Sequence, residues 1–363
     1  MARDWFWLYR PSAPSVRAQT IQVLNAAHAM ASRGHRVELA INPVGPTSTR
    51  EVLASVGLEP VEGLRLRLLP RGGTAASVAF RLVFLAWVAR TRGRGVVLAR
   101  SKRYADQALR WTGGHLRLIL EVHEVDSLQA LEVGAPAEGI RALEARVLRG
   151  ARGVVANAPG TLELLARVHQ LPPAIALHNA THPSRVRRPV GPGVGVGYVG
   201  SALESKGVRE LALAARRISE PLVMVGPSGS DPRVRELMAL SGGRLSVEGP
   251  IPHREVPDRL AAFRALALPL SPGLFGERLT SPLKLWDYLA SGVPVVGADL
   301  PSLRDAAPGA FHPYRAGDAD DLARAIEEVC GEETLRARLL AAAPLRTWAD
   351  RAAALEAFVE GLG

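Results

Sequence analysis

Gly276–Val296, GERLTSPLKLWDYLASGVPVV, is the stretch on which the reading of this chain turns. Thr280 and Ser281 are residues that cap helices, and Pro282 suits a first helical turn. The apolar positions that follow keep helical spacing as far as Ser291, where Gly292 stops the helix. Val293–Val296 then reads as a short buried strand entered through Pro294. A helix that delivers the chain into a buried strand is half of an α/β unit.

The same alternation continues upstream. Val194–Val199, Leu222–Val225, Leu245–Val247 and Ala265–Leu270 read as strands. Helical spacing falls at Lys206–Arg217, Pro232–Leu240, Glu255–Phe263 and Pro282–Ser291. The first half repeats the pattern, with strands expected at Trp5–Tyr9, Val37–Ile41, Leu64–Leu69, Val96–Ala99, Leu116–Val122, Val154–Ala156 and Ile175–Leu177. Ile21–Ser32, Ala75–Ala89 and Ile140–Arg149 are the helices expected between them. Short apolar runs alternating with amphipathic helices mark a parallel sheet covered by helices, so the fold class is α/β.

Pro183–Gly193, PSRVRRPVGPG, has no apolar period and reads as a linker. The predicted division is an N-terminal Rossmann-like domain over 1–185, a C-terminal one over 186–345, and a helix over 346–363 packing back towards the first. The tail Asp321–Val359, broken at Pro344, reads as a pair of packing helices. Two doubly wound domains place the carboxyl ends of their sheets on either side of a cleft, where the site is expected.

Composition limits the function. With 363 residues, 47% hydrophobic and 22% charged, the chain can bury two cores. The single cysteine, Cys330, forms no internal disulfide. No apolar run reaches the roughly 18 residues of a bilayer span, and Met1–Arg10 lacks a signal-peptide core, so a cytoplasmic protein is expected. The net charge of +10 invites nucleic acid or an anionic surface. Yet the only lysines are Lys102, Lys206 and Lys284, the arginines are scattered, and no aromatic residues interleave with them as a base-stacking platform requires. Nucleic acid is therefore not an expected partner. Val78–Arg94 pairs an apolar face with arginines, which suits a membrane surface; its period equally suits packing on the first sheet, the reading adopted. Asp318-Ala319-Asp320 sits ahead of a helix and reads as a cap, not a metal site. His28, His169 and His312 have no spaced partners and receive no role.

Two segments carry chemistry. Free backbone N–H groups around Thr280, Ser281, Pro282 and Leu283 are placed to hold phosphate, and Asp287, just over one turn along, is placed to accept from a ribose diol. Gly197–Gly207, GYVGSALESKG, reads as a strand end, a glycine turn at Gly200-Ser201 and a helix start bearing Lys206. In a chain that nearly always uses arginine, that lysine points to a compact charge for a diphosphate oxygen.

These segments resemble glycosyltransferase family 4, whose members have the GT-B fold of two facing Rossmann domains. The resemblance runs through Ser32-Arg33-Gly34-His35, Glu121-Val122-His123-Glu124, His178-Asn179-Ala180, Gly200-Ser201 with Lys206-Gly207, Ser281–Tyr288 and Ser291–Val296. It implies a retaining transferase that uses a nucleoside-diphosphate sugar without metal or other cofactor. By resemblance, Asp287 holds the ribose, Lys206 the diphosphate, the amides of Thr280–Leu283 the phosphates and the backbone of Ile251 the base. His123 lies near the donor sugar or the reacting centre, with Lys206 as its electrostatic counterpart in catalysis. Ser15, Arg17, Arg100 and Glu124 are the candidates on the acceptor side, and Glu124 and Asp126 either share that loop or are solvated. Arg17 or Arg209 is the expected helper of Lys206.

The sequence departs from the family in three places. Ser201 replaces an arginine, Leu279 occupies the first acidic position of a Glu-x7-Glu pair whose second is Asp287, and Pro11–Arg17 replaces a glycine pair. Glu277 is the candidate substitute for the first acid. The acceptor is a cell-envelope glycan, a lipid or a small metabolite, and peripheral membrane association is among the expected partnerships. The competing readings are a nucleotide-sugar-binding protein without turnover and a GT-B nucleotide-sugar epimerase.

Overall fold

The computed structural model describes residues 2–15, 17–70, 72–187, 189 and 191–363. Val16 of the first loop and Arg188 and Val190 of the expected linker lie outside the described residues. The chain divides into two compact units, Met1–His178 with Trp348–Gly363, and Asn179–Thr347.

Among the described residues, unit 1 has eight parallel strands: β1 (Asp4–Leu8), β2 (Ser12–Ala13), β3 (Arg36–Pro43), β4 (Leu64–Leu68), β5 (Val96–Ala99), β6 (Arg117–Val122), β7 (Gly153–Ala156) and β8 (Ala174–Ala176). They run in the order β2-β3-β1-β5-β6-β7-β8, with β4 also paired to β3. β1 is central, Trp5 standing opposite both Val37 and Val96. Its side chains explain that place: Trp5, Phe6, Trp7 and Leu8 are almost wholly buried, as strands covered on both faces are.

The helix Gly73–Thr91 closes one face of this sheet. It is 19 residues long and, by length and composition, apolar enough to cross a bilayer, longer than the sequence reading allowed. Its Phe80, Phe84 and Trp87 nevertheless pack on Phe6, the last two with ring centres 5.2 and 5.4 Å away. The opposite side leaves Val78 and Leu82 more than half exposed.

Unit 2 has six described parallel strands: β9 (Val196–Val199), β10 (Leu222–Val225), β11 (Leu245–Glu248), β12 (Ala265–Leu268), β13 (Val295–Ala298) and β14 (His312–Tyr314). The order β11-β10-β9-β12-β13-β14 reverses direction beside β9, the doubly wound Rossmann arrangement.

Three expectations need correction. The division falls at His178/Asn179, ahead of the expected linker, because Asn179, Thr181, Arg185 and Arg187 are hydrogen-bonded to Ser281, Asp287 and Ala290 of unit 2. The second crossing lies at Thr347/Trp348. The tail forms three helices, Ala319–Gly331, Glu333–Ala342 and Trp348–Gly361, since Glu332 breaks the first as Pro344 ends the second. Asp318 caps the first by accepting from the amides of Asp320 and Asp321, the role read for it from sequence. Finally, Lys206 does not begin a helix. It ends a 3-10 turn, Glu204–Lys206, and the helix proper is Val208–Ala214. Gly207 separates the two at φ +64°, where a Cβ would lie 2.9 Å from the Pro269 carbonyl carbon.

Candidate functional site

In unit 2 the loops that follow β9 and β12 meet where the strand order reverses, the place at which open α/β sheets bind ligands. Ser271, past β12, donates its hydroxyl to the Glu204 carbonyl at 2.8 Å and ties the loops together. Gly200 and Ser201 lead out of β9, and Ser201 is exposed. The Lys206 ammonium stands 4.7 Å from the centre of the Phe275 ring, and no carboxylate among the described residues pairs with it. Burial lowers its pKa from the usual lysine value. Arg209, an expected helper, is turned towards Glu236 at 3.9 Å.

The helix Leu283–Ala290 begins beside this loop. Thr280 and Ser281 do not cap it: the cap position is Pro282, with no side-chain bond. Ser281 instead accepts from the Asn179 amide at 2.8 Å through its hydroxyl and from the Asn179 side chain at 2.6 Å through its carbonyl. The first amides of the helix, Leu283 and Lys284, have no partner within it by helix geometry. Glu277 is exposed in the π-helical turn Phe275–Leu279, whereas Leu279 is fully buried and offers nothing to a ligand.

Asp287 is not the solvated acid that a ribose would meet first. Thr181 donates to one carboxylate oxygen at 2.7 Å and Arg185 to the other at 2.8 Å. Each oxygen keeps one further accepting direction. Arg185 is buried and also donates to the His253 ring, two residues past Ile251 in the loop after β11. Ile251 is partly buried against the unit 2 core.

In unit 1 the equivalent reversal falls between β1 and its neighbours β3 and β5. A pocket of about 440 Å³ opens there, lined by Tyr9, Gln19, Arg100, Lys102, His123 and Glu124 among others. Arg100, His123 and Glu124 thus line one pocket. Ser15 and Arg17 lie at the entry to the helix Ala18–Ser32, where the Arg17 amide donates to the Ser15 hydroxyl at 3.2 Å, and neither lines the pocket.

His123 follows β6 directly. Its Nε2 stands 3.4 Å from Oε1 of Glu121, on the edge of hydrogen-bond reach. Glu121 is buried and bound by Arg351 at 2.6 Å and Gln22 at 3.0 Å. Burial, and next the charge of Arg100, pull the His123 pKa down to about 4 against the pull of Glu121. The imidazole is neutral at physiological pH. Lys102 spends its ammonium inside the unit, on Glu144 at 3.1 Å, Asp126 at 3.0 Å and the Glu124 carbonyl at 2.7 Å. The histidines given no role have structural partners: His28 the Glu59 carbonyl, His169 Glu144, and His312 Glu328.

Sequence reasoning missed Arg185, Lys284 and Glu121. Arg185 was hidden in an arginine- and proline-rich stretch that resembles surface linker. Lys284 looks like an ordinary first-turn cation, yet its Nζ reaches the Tyr198 hydroxyl at 2.7 Å. The rarity of lysine was the one available signal. Glu121 could have been suspected as a charge set within the apolar run Leu118–Val122.

Residues 193–332 match the family model described as "Glycosyl transferases group 1". Over 146 residues the chain is 30% identical to the "Putative teichuronic acid biosynthesis glycosyltransferase TuaH" of Bacillus subtilis (strain 168), a match that covers 39% of this chain and 36% of that protein. The match thus spans about a third of the length of this curated relative. Among solved structures, sucrose-phosphate synthase from Thermosynechococcus elongatus aligns with a TM-score of 0.77 at 17% identity, covering 99% of each chain. Anabaena HepE, solved in complex with UDP and glucose, aligns with a TM-score of 0.69 at 14% identity, covering 99% of this chain and 100% of its own. Residues 193–332 therefore match the glycosyl transferases group 1 family, within a chain that carries the GT-B fold from end to end.

Proposed function

We propose that this chain is a cytoplasmic, retaining glycosyltransferase of family 4 that moves a sugar from a nucleoside-diphosphate sugar to an acceptor without metal or cofactor. One observation carries the reading: Lys206, free of any described carboxylate, stands at the strand-order reversal of the unit that matches the family model. Unit 2 binds the donor and unit 1 the acceptor. UDP-sugars are the first donors to try, because HepE was solved with UDP and glucose. The relative's connection with teichuronic acid favours a cell-envelope glycan as acceptor over a lipid or small metabolite.

Departure of a nucleoside diphosphate leaves negative charge that the protein must offset with fixed groups. Lys206 and the amides at Leu283 and Lys284 offset it, Asp287 accepts from the ribose, and the Ile251 backbone meets the base. Glu277 reaches for the sugar in place of the acid absent at Leu279. The acceptor hydroxyl attacks the face that the diphosphate vacates, and a phosphate oxygen takes its proton. His123, held neutral, orients a sugar or acceptor hydroxyl from the unit 1 pocket with Arg100 and Glu124; Ser15 and Arg17 border the acceptor's approach. The exposed side of the helix Gly73–Thr91, with Val78, Leu82 and flanking arginines, rests on an anionic membrane surface.

Transfer of radiolabelled sugar from a panel of nucleotide sugars, with product analysis, tests the proposal. Binding without transfer or hydrolysis would leave a nucleotide-sugar-binding protein, and an epimerised donor would reveal an epimerase.

A further inference from the structure

Resting on the donor-site reading above, we propose that Lys284 is a second diphosphate-binding cation, paired with Lys206 across the loop that follows β9. Its side chain rises from the first turn of the helix Leu283–Ala290 and reaches back over the end of that strand. Nζ donates to the Tyr198 hydroxyl at 2.7 Å and lies 4.0 Å from the centre of the Tyr198 ring. The same hydroxyl donates to the Ser201 carbonyl at 2.7 Å, so the phenol is anchored to the loop and in turn anchors the lysine. Burial raises the Tyr198 pKa well above its usual value, so the phenol stays neutral and cannot serve as counterion.

An ammonium has three donors. One is spent on Tyr198, and the other two have no acceptor among the described residues. Neither Lys284 nor Lys206 has a described carboxylate partner, although the chain contains 35 acidic residues. Lys102 shows what the fold does with a lysine meant to stay neutralised: it surrounds it with Glu144, Asp126 and a carbonyl. Burial, and next the charge of Lys206, push the Lys284 pKa well below the usual lysine value. Two cations held together without a counterion destabilise the ligand-free unit, and such an arrangement persists where a ligand supplies the missing charge. A diphosphate carries at least two negative charges and acceptor oxygens on several sides.

Gly200 belongs to the same arrangement. Its backbone has φ +156°, and a Cβ there would fall 2.0 Å from the Lys284 ammonium. Only a residue without a side chain leaves the ammonium its seat against the loop, next to Ser201, which brings no charge of its own.

Calorimetric titration of UDP, ADP, GDP and dTDP into wild type, Lys206→Ala and Lys284→Met tests this. For the diphosphate that binds wild type, each variant should lose roughly 10- to 100-fold in affinity. Lys284→Met should also melt no lower than wild type without ligand, because methionine fills the site without a buried charge. No binding by wild type would overturn the donor-site reading as well. Binding that weakens in Lys206→Ala and is unchanged in Lys284→Met would overturn this inference alone. If Lys284→Met does not fold, wild type decides: reductive ¹³C-methylation marks Lys102, Lys206 and Lys284 with distinct signals, beside that of the α-amino group, which titrates apart from them. Saturating diphosphate should shift two of the three lysine signals and leave that of Lys102; a shift confined to the signal absent from Lys206→Ala would refute the pair.

Discussion

Replacing Arg351 with methionine should cost unit 1 more stability than any substitution on its surface. Glu121 and Arg351 are 1% and 3% exposed, 230 positions apart in sequence and 2.6 Å apart in space. Arg351 also donates to the His178 carbonyl at 3.2 Å, so one guanidinium satisfies two buried acceptors. Burial alone would raise the Glu121 pKa; Arg351 foremost, with His123 and Arg100, holds it well below the usual carboxylate range. Arg351→Met removes the principal counter-charge and strands the carboxylate.

Breaking a buried pair from one side costs about 3–5 kcal/mol. For a unit of this size that is a fall in Tm of about 6–20 °C. Five of the six tryptophans lie in unit 1, so fluorescence-monitored unfolding reports on it selectively. The double variant Glu121→Gln, Arg351→Met should recover at least half the loss, because no buried charge remains. The pH dependence has a definite sign. In wild type the Glu121 contribution is complete at neutral pH and is lost as pH falls below the ordinary carboxylate range, because the unfolded chain takes up the proton first. In Arg351→Met, burial is less opposed and the Glu121 pKa rises, so acid relieves the variant and its deficit should narrow from pH 7 towards pH 4. A deficit under about 1 kcal/mol at pH 7, or one that widens with acid, would refute the reasoning.

Asp287→Ala should weaken nucleoside-diphosphate binding roughly 10-fold or more and, by stranding Arg185, lower stability by about 1–3 kcal/mol. Arg185→Met keeps the carboxylate and should bind better than Asp287→Ala in the same titration; equal losses would place the effect in the ion pair and not in a ribose contact. Because His123 titrates near pH 4, kcat/KM should show no limb from it around pH 6.5 and should fall only as pH approaches about 4, which a pH–rate profile of wild type against His123→Asn checks. Transfer should persist in EDTA; loss that magnesium or manganese restores would remove metal independence. Leu82→Asp, at a site 61% exposed, should leave Tm nearly unchanged and reduce flotation with phosphatidylglycerol vesicles, and undiminished flotation would take the membrane away from this helix.

The parallel sheets were legible because strands buried on both faces leave continuous apolar runs: Val96–Ala99 and Leu222–Val225 stand where periodicity put them. Helices such as Lys102–Trp111 escaped because their stripe is narrow and polar residues dominate the rest. Lys206 was assigned to the helix because spacing alone cannot show that the left-handed Gly207 closes a 3-10 turn ahead of it. Arg185, Lys284 and Glu121 were illegible for one shared reason. Each owes its place to a partner 86 to 230 residues away, and a local pattern carries no record of such pairing.

These long-range pairings also account for the charge that composition left unexplained. The two sheets present equivalent strand-order reversals but treat charge there in opposite ways. In unit 1, Lys102 is surrounded by acids, Arg100 donates to Gln22 at 2.7 Å beside Glu121, and His123 is held neutral. In unit 2, Lys206 and Lys284 stand without a described acid. A self-neutralised pocket suits an uncharged polyhydroxyl ligand, whose hydroxyls exchange hydrogen bonds with groups already paired. An unneutralised pair of cations suits a polyanion, which gains most where the protein has not already supplied the opposite charge. Among the described residues, positive charge is spread over exposed arginines, many of them paired with acids, whereas at the end of β9 Lys206 and Lys284 stand without a described acid. On that basis the proposed division of labour follows from charge: the nucleotide is assigned to unit 2 and the sugar-accepting partner to unit 1.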